Sequence, residues 1–289
     1  MVFSMTGYAA LSRDVGNASL QIELRSVNSR YLDLAFRVAE DLRFAEPLVR
    51  EQINASVARG KIECRMSLQA VAGAAAGGIK INTALLAQLN AAQMQVRELL
   101  PEAALLSTAE VLRWPGVLAD EGLDAERLAA AVQAIARDAL AELRAARARE
   151  GEKLVTMLRD RIALMRTRVA EAEPLVPTAV AEYRERLTAR LREAVASLDE
   201  DRIRQEVTLF AQRADVAEEI TRLGAHLDEV SRILDKGGAV GKRLDFLMQE
   251  LNREANTLGS KAVSPVLTGI SVDLKVYIEQ MREQVQNLE

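Results

Sequence analysis

The spacing of apolar residues changes near residue 70 of this 289-residue chain. Before that point apolar and polar side chains alternate: Leu20, Ile22 and Leu24 fall on one face of an extended segment, Gln21 and Glu23 on the other. Beyond residue 78 apolar residues recur three or four positions apart, as they do in helices. The change predicts an α+β fold, with a small sheet domain followed by a long, all-helical region.

Five elements are expected before the change in spacing. Alternation predicts four strands and helical spacing predicts one helix, over residues 3–11, 19–26, 31–38, 44–58 (the helix) and 61–70. The order β-β-β-α-β favours a largely antiparallel sheet. The segment that follows, Ala70 to Gly78, is small and uncharged (AVAGAAAGG) and is the predicted linker.

Capping and breaking residues delimit the first helices. Asn82 is suited to cap a helix that reaches about residue 100, and Trp114-Pro115-Gly116 predicts a turn. A long helix is expected from Asp124 to about Ala172, where Pro174 and Pro177 interrupt it.

Three helical segments are expected at the carboxyl end. The first spans 202–234 and leads through a glycine turn, KGGAVG at 236–241, to a second over 242–258. A loop through Gly259, Pro265 and Gly269 precedes the last. We therefore predict an N-terminal α+β domain at 1–78, a helical middle region at 79–200 and a helical catalytic region at 201–289. The narrow apolar stripes of the three C-terminal helices favour packing against one another or against a partner subunit.

Composition limits the class of protein. A single cysteine, Cys64, excludes an intramolecular disulfide, and the longest apolar runs fall short of the roughly 20 residues of a membrane span. The first residues lack the pattern of a secretory signal. We therefore expect a cytoplasmic protein that does not contact a membrane. Its net charge of −4 means that any nucleic acid must bind a local positive channel.

Two carboxylates and an arginine share one stripe on each of the last two helices. Glu250, Arg253 and Glu254 occupy positions i, i+3 and i+4, with Lys261 further along, and the last helix repeats the spacing with Glu279, Arg282 and Glu283. Two such stripes facing each other would hold a divalent metal ion, with the cations binding phosphates. The alternative is that these are the Glu–Arg ladders of ordinary solvent-exposed helices.

His226 is the only histidine in the chain. Histidine transfers protons near neutral pH and is the commonest metal ligand, so His226 is a candidate for either role. The alternative is a polar surface residue.

Two basic segments are candidate phosphate contacts. The turn before the second C-terminal helix ends in Lys242 and Arg243, but its glycine spacing does not match a nucleoside-triphosphate loop. Near the amino end, a predicted basic lip with one aromatic residue consists of Arg25, Asn28, Arg30, Tyr31, Arg59 and Lys61. For the glycine turn the alternative, which we favour, is a helix C-cap followed by a hairpin turn. For the lip the alternative is a turn with solvated charges.

Several motifs resemble the YicC family. They are Ser4-Met5-Thr6-Gly7-Tyr8, Arg25-Ser26-Val27-Asn28 with Arg30-Tyr31, Arg59-Gly60-Lys61, residues 211–219 with His226, Arg243-Leu244-Asp245-Phe246, residues 249–257 with Ser260-Lys261, and residues 278–287. The similarity spans the chain, although residues 73–200 match only in helical character.

The resemblance implies an endoribonuclease that cuts single-stranded or structured RNA, including small regulatory RNA. It implies dependence on a divalent metal, Mn²⁺ or Mg²⁺, a homo-oligomer that is a hexamer around a central opening, and a part in stress survival beside other RNA-decay enzymes. Matching positions assign the catalytic site to His226, Glu250, Arg253, Glu254, Lys261, Glu279, Arg282 and Glu283. The chemistry of the side chains, and not the resemblance, makes His226 and the four glutamates the expected metal ligands.

Two other functions fit the same residues. One is an RNA-binding adaptor that presents RNA to another nuclease; the other is a structural oligomer in which the polar stripes form subunit contacts.

Overall fold

The computed structural model describes residues 1–16, 18–70, 81–118, 125–194 and 200–289. It has the predicted α+β fold. Four strands form the amino-terminal sheet, β1 (Gly7–Asp14), β2 (Ala18–Val27), β3 (Leu32–Val38) and β4 (Gly60–Ala70), and a short 3₁₀ helix, Glu40–Ala45, with α1 (Glu46–Ser56) lies between β3 and β4. Most of the predicted linker, residues 71–78, lies outside the described residues.

The sheet has the strand order β1-β2-β4-β3. β2 pairs antiparallel with β1 and with β4, whereas β3 pairs parallel with β4, because the 3₁₀ helix and α1 carry the chain back across one face of the sheet. The alternation in β2 places Leu20, Ile22 and Leu24 on that face, and all three are fully buried. The prediction of a largely antiparallel sheet is confirmed.

The described residues after β4 are mostly helical. The described helices are α2 (Thr83–Leu99), α3 (Thr108–Arg113), α4 (Ala125–Ala172), α5 (Leu175–Ala194), α6 (Glu200–Arg213), α7 (Ala217–Lys236), α8 (Gly241–Lys261) and α9 (Pro265–Val285). Asn82 caps α2 by accepting a hydrogen bond from the Leu85 amide, as predicted. The predicted turns are present too, and Gly116, Gly237 and Gly238 have positive φ.

The prediction of one helix over residues 202–234 is wrong. The helix stops at Arg213, and α7 begins at Ala217. The Asp215 carboxylate accepts a hydrogen bond from the Ala217 amide, and the Asp215 carbonyl accepts one from Lys261. A side chain that satisfies a free amide at a helix start stabilises such a break.

The predicted loop through Gly259, Pro265 and Gly269 is also wrong in extent. α8 continues to Lys261, and α9 begins at Pro265, so Gly259 and Gly269 are both helical. Proline fits the first turn of a helix because no partner is needed for its missing amide. Gly259 permits α8 and α9 to approach closely, since a Cβ there would lie 2.5 Å from the Ser271 hydroxyl.

The long helix α4 joins two apolar cores. Its first half, including Val132 and Leu143, packs with α1 and the sheet, whereas its second half, including Leu158 and Met165, packs with α7, α8 and α9. In the second core α4 neighbours α7 and α9, and α8 neighbours the same two helices. These four helices form a four-helix bundle in which α4 and α8 are opposite corners. The three-part division by residue number stays a prediction.

The two ends of the chain meet beside α4. The buried Arg147 guanidinium donates to the Ser4 carbonyl and pairs with the Glu289 carboxylate. Gly151 lets the first residues of the chain pass close to α4, because a Cβ there would lie 2.3 Å from the Val2 carbonyl oxygen. Among the described residues, no helix combines the length and the hydropathy that crossing a bilayer would require.

Candidate metal centre

The face of α7 that meets α8 carries four polar side chains. Glu219, Arg222, His226 and Glu229 recur at steps of three and four, so they form one stripe. The helices run antiparallel, and the stripe lies against the α8 residues Arg243, Glu250, Glu254 and Lys261. We call this surface the α7/α8 groove. It follows one edge of the bundle, beside apolar positions such as Leu223 and Leu251.

Three potential metal ligands meet in the middle of the α7/α8 groove. One donor atom each from His226, Glu250 and Glu254 lies within 4.8 Å of the others. Glu254 is buried, whereas His226 and Glu250 are half-buried. Within the described part of the chain, this His–Glu cluster is the one group of three or more such ligands. The structure therefore joins three of the five predicted metal ligands.

The His–Glu cluster fits a transition-metal ion. Nitrogen and oxygen ligands lie about 2.0–2.2 Å from such an ion, so two of them are at most about 4.4 Å apart. The three donor atoms lie within 4.8 Å of one another, so side-chain movements of about half an ångström or less bring them to such separations. A nitrogen with two carboxylate oxygens suits Mn²⁺ better than Mg²⁺, which prefers oxygen alone.

Arg222 is the cation next to the buried Glu254 carboxylate. Their nearest nitrogen and oxygen atoms are 3.6 Å apart, too far for a hydrogen bond. The Glu218 carboxylate, and then Glu254, raise the pKa of Arg222 above its ordinary value, although burial opposes them. Sequence reasoning missed Arg222. The signal that could have identified it is its position one turn before His226 on the same helix.

Lys261 joins the bend between α6 and α7 to the end of α8. Its ammonium group lies 2.8 Å from one oxygen of Glu219, a carboxylate that is only 6% exposed, and also donates to the Asp215 carbonyl. The other Glu219 oxygen is buried and has no hydrogen-bond partner. Lys261 thus neutralises a buried acid and lies beyond one end of the His–Glu cluster. Its predicted catalytic role stays a prediction.

At the other end of the groove, Glu229 accepts hydrogen bonds from two arginines. Both carboxylate oxygens bind Arg232, and Arg243 donates to one of them at 2.6 Å. The hydrogen bond from Arg232 is the main reason why the pKa of Glu229 is lowered, and Arg243 adds to the effect. Arg243, a predicted phosphate contact, is therefore engaged in an ion pair.

The polar stripe of α9 lies on a different edge of the bundle. Glu283 lines a cavity of about 110 Å³ between α9 and α4, beside Arg161. The Glu279 carboxylate lies 3.7 Å from Arg282, whose Nε is buried without a hydrogen-bond partner. The hydroxyl of Ser271 donates to the Ala255 carbonyl, so the later residues of antiparallel α9 lie beside the earlier part of α8, away from Glu254. Neither Glu279 nor Glu283 joins the His–Glu cluster.

Two other predicted cations are exposed near the groove. Arg253 and Lys242 both lie on the solvent side of α8, and neither forms an ion pair with a described residue. Their charges are available to an anionic ligand.

Most of the predicted basic lip is already engaged with other groups. Arg59 donates to the Leu288 carbonyl and Asn28 to the Gln286 carbonyl, so both hold the end of the chain. Lys61 lies 3.9 Å from Asp33, and Arg30 lies 5.4 Å from the ring centre of Tyr31. Tyr31 and Arg25 are exposed. The structure therefore leaves Arg25, Arg30 and Tyr31 as the accessible members of the lip.

Cys64 is a buried strand residue, as predicted. It is fully buried in β4, and this burial raises the pKa of its thiol to about 12, with Glu46 adding to the shift. The thiol remains protonated near neutral pH and is not a ligand of the His–Glu cluster.

These features define a class: a small α+β sheet domain joined through one long helix to a four-helix bundle with a histidine–carboxylate cluster. Two family models match the chain: "Endoribonuclease YicC-like, N-terminal region" over residues 2–156 and "Endoribonuclease YicC-like, C-terminal" over residues 172–289. The chain belongs to this family of YicC-like endoribonucleases.

Two curated relatives match along their whole lengths. A protein of Haemophilus influenzae named "Probable endoribonuclease YicC" is 41% identical over 100% of both chains. A protein of Clostridioides difficile with the same name is 29% identical, also over 100% of both chains. The similarity therefore includes both the sheet domain and the helices that form the α7/α8 groove.

Proposed function

We propose that the protein is a metal-dependent endoribonuclease whose centre is the His–Glu cluster. The observation that carries the proposal is the convergence of one histidine and two glutamates from α7 and α8 in a chain of the YicC-like family. The names of the two relatives support RNA as the substrate.

In this proposal Glu250, Glu254 and His226 hold a divalent ion, with Mn²⁺ favoured over Mg²⁺ by the histidine nitrogen. Bound there, the ion supplies Lewis acidity toward the scissile phosphate and toward the attacking oxygen. In the reaction the attacking oxygen gives up its proton to solvent and forms a bond to phosphorus. The bond from phosphorus to the leaving ribose oxygen breaks, and that oxygen takes up a proton from solvent.

The neighbouring cations act on the RNA backbone. Arg222 lies at the edge of the His–Glu cluster and balances the carboxylate charge before substrate arrives. Arg253, exposed and without an ion pair among the described residues, binds a phosphate next to the bond that is cut. Because the chain carries a net charge of −4, such local contacts must provide most of the attraction for RNA.

Cleavage of a labelled RNA hairpin tests the proposal. Purified wild-type protein is incubated with Mn²⁺, with Mg²⁺ or with EDTA, and Glu250→Gln, prepared identically, controls for contaminating ribonucleases. We expect cleavage that needs metal and falls at least 100-fold in the variant. Intact RNA that shifts in a native gel under every condition would instead favour the adaptor, and cleavage in EDTA would refute the metal centre.

Several broader expectations stay predictions. The proposed setting is the cytoplasm, with small regulatory RNA among the substrates, a hexameric homo-oligomer, contacts with other RNA-decay enzymes and a part in stress survival. The predicted catalytic roles of Lys261, Glu279, Arg282 and Glu283 belong here too, because their positions outside the cluster require a separate test.

A further inference from the structure

An exposed aromatic ring lies on α8 beside the His–Glu cluster. Phe246 precedes Glu250 by four residues, so the two side chains are neighbours on the helix, with Cβ atoms about 5–6 Å apart. Phe246 is 58% exposed, more than any other of the five phenylalanines in the chain. The apolar stripe of α8 packs inward through residues such as Leu247 and Leu251, so Phe246 adds nothing to the bundle core.

Two cations lie on the same solvent-facing side of α8. Lys242 is four residues before Phe246, and Arg253 is seven residues after it. Both are exposed, and neither forms an ion pair with a described residue. An aromatic ring between positive charges is the combination that binds single-stranded nucleic acid, because bases stack on the ring while the charges bind the phosphates.

We propose that Phe246 is a stacking platform for an unpaired nucleobase next to the bond that is cut. Lys242 and Arg253 then hold backbone phosphates on either side of that nucleotide. The inference rests on the proposed function and adds a requirement to it: the strand at the centre must be unpaired there, because a base inside a duplex has no free face for the ring.

Binding in EDTA separates stacking from cleavage. The probes are a fluorescent oligoadenylate and an abasic sugar–phosphate strand of equal length, measured by anisotropy. Wild-type protein is expected to bind the oligoadenylate at least tenfold more tightly than the abasic strand. Phe246→Ala should lose this preference by weakening oligoadenylate binding about tenfold, with the affinity for the abasic strand unchanged.

Three further variants sharpen the test. Phe246→Trp should keep the preference and Phe246→Leu should lose it, because a ring and not merely an apolar surface is needed. Phe44→Ala removes a ring that is 46% exposed in the 3₁₀ helix of the sheet domain, and should bind like the wild type.

The inference is overturned if wild-type protein shows no preference, if Phe246→Ala retains it, or if both affinities fall equally. An equal fall would assign the ring to folding or to a subunit contact. The failure of the proposed function reads differently, because RNA would then stay intact with Mn²⁺ whatever these binding measurements give.

Discussion

Replacing Glu254 by glutamine tests whether this residue is a metal ligand or a residue that only stabilises the fold. The Glu254 carboxylate is 4% exposed, its nearest cation is 3.6 Å away, and a Glu250 oxygen lies within 4.8 Å. Burial of this carboxylate beside the like charge of Glu250 costs the apo protein free energy, and the attraction of Arg222 offsets part of that cost. Glu254→Gln keeps the shape and removes the charge. We expect it to raise the stability of the apo protein by about 1 kcal/mol, a net value after the attraction of Arg222 is lost.

The same substitution should weaken Mn²⁺ binding and so reduce the stability that the metal adds to the protein. At a Mn²⁺ concentration 100 times its dissociation constant, binding stabilises the wild-type protein by about 2.7 kcal/mol. Loss of one of three protein ligands should weaken binding at least about 100-fold, which leaves a gain of roughly 0.4 kcal/mol. With about 2–4 °C per kcal/mol for a chain of this size, the Mn²⁺-induced rise in Tm falls from about 5–10 °C to about 1–2 °C.

Differential scanning calorimetry with and without Mn²⁺ measures both effects. Glu142→Gln, which removes an exposed carboxylate from α4, is the matched control and should keep the wild-type rise in Tm. Glu283→Gln distinguishes the cluster in the structure from the α9 stripe expected from the sequence, because only a ligand loses the rise. The reasoning is refuted if Glu254→Gln keeps the full rise, or if it destabilises the apo protein, which would make Glu254 a structural residue.

Three shorter predictions concern other groups. Lys261→Met removes the cation from the buried Glu219 and should lower the free energy of unfolding, measured in urea, by about 1–2 kcal/mol. The loss is smaller than for a fully buried pair, because the Lys261 side chain is 34% exposed. An unchanged unfolding midpoint would contradict the pairing. Cys64 should resist iodoacetamide at pH 8 until the protein unfolds, because its pKa of about 12 keeps the folded thiol protonated, and rapid labelling at pH 8 would contradict the burial. For the same reason, the titration of this thiol should destabilise the fold only above about pH 9, where the thiol of the unfolded chain loses its proton. In protein labelled with ¹⁵N-histidine, bound Mn²⁺ should show hyperfine coupling to nitrogen, and that nitrogen must belong to His226, the only histidine in the chain. A Mn²⁺ signal without this coupling would exclude His226 as a ligand.

Local features of the fold followed well from the sequence. The alternation through Leu20, Ile22 and Leu24 identified the buried face of β2, and Asn82 marked the start of α2. The break at Asp215 did not follow, because apolar spacing continues through it from Phe210 and Ala214 to Ala217 and Ile220. The bend depends on hydrogen bonds to the Asp215 backbone and side chain, including one from Lys261, which is distant in sequence.

Three residues of the candidate site could be chosen from the sequence, but the pairing of α7 with α8 could not. Periodicity shows which side of a helix is polar, not which other helix that side meets. The stripe on α8 was therefore matched with the similar stripe on α9, whereas in the bundle it meets the polar residues of α7. The stripe containing Glu219, Arg222, His226 and Glu229 is visible in the sequence. The same helix also carries a continuous apolar stripe, however, and that pattern indicates packing and not a site. Phe246 was missed because exposure, not residue type, distinguishes it.

The most direct test compares two Mn²⁺ titrations of the same protein. One measures single-turnover cleavage of an unpaired RNA strand, and the other measures Mn²⁺ affinity from the rise in Tm. If the His–Glu cluster carries the reaction, half-maximal cleavage occurs at the Mn²⁺ concentration that half-saturates this site, and Glu254→Gln shifts both by at least about 100-fold. Cleavage that persists in EDTA, or whose Mn²⁺ dependence is the same in Glu254→Gln, would place the chemistry elsewhere in the molecule.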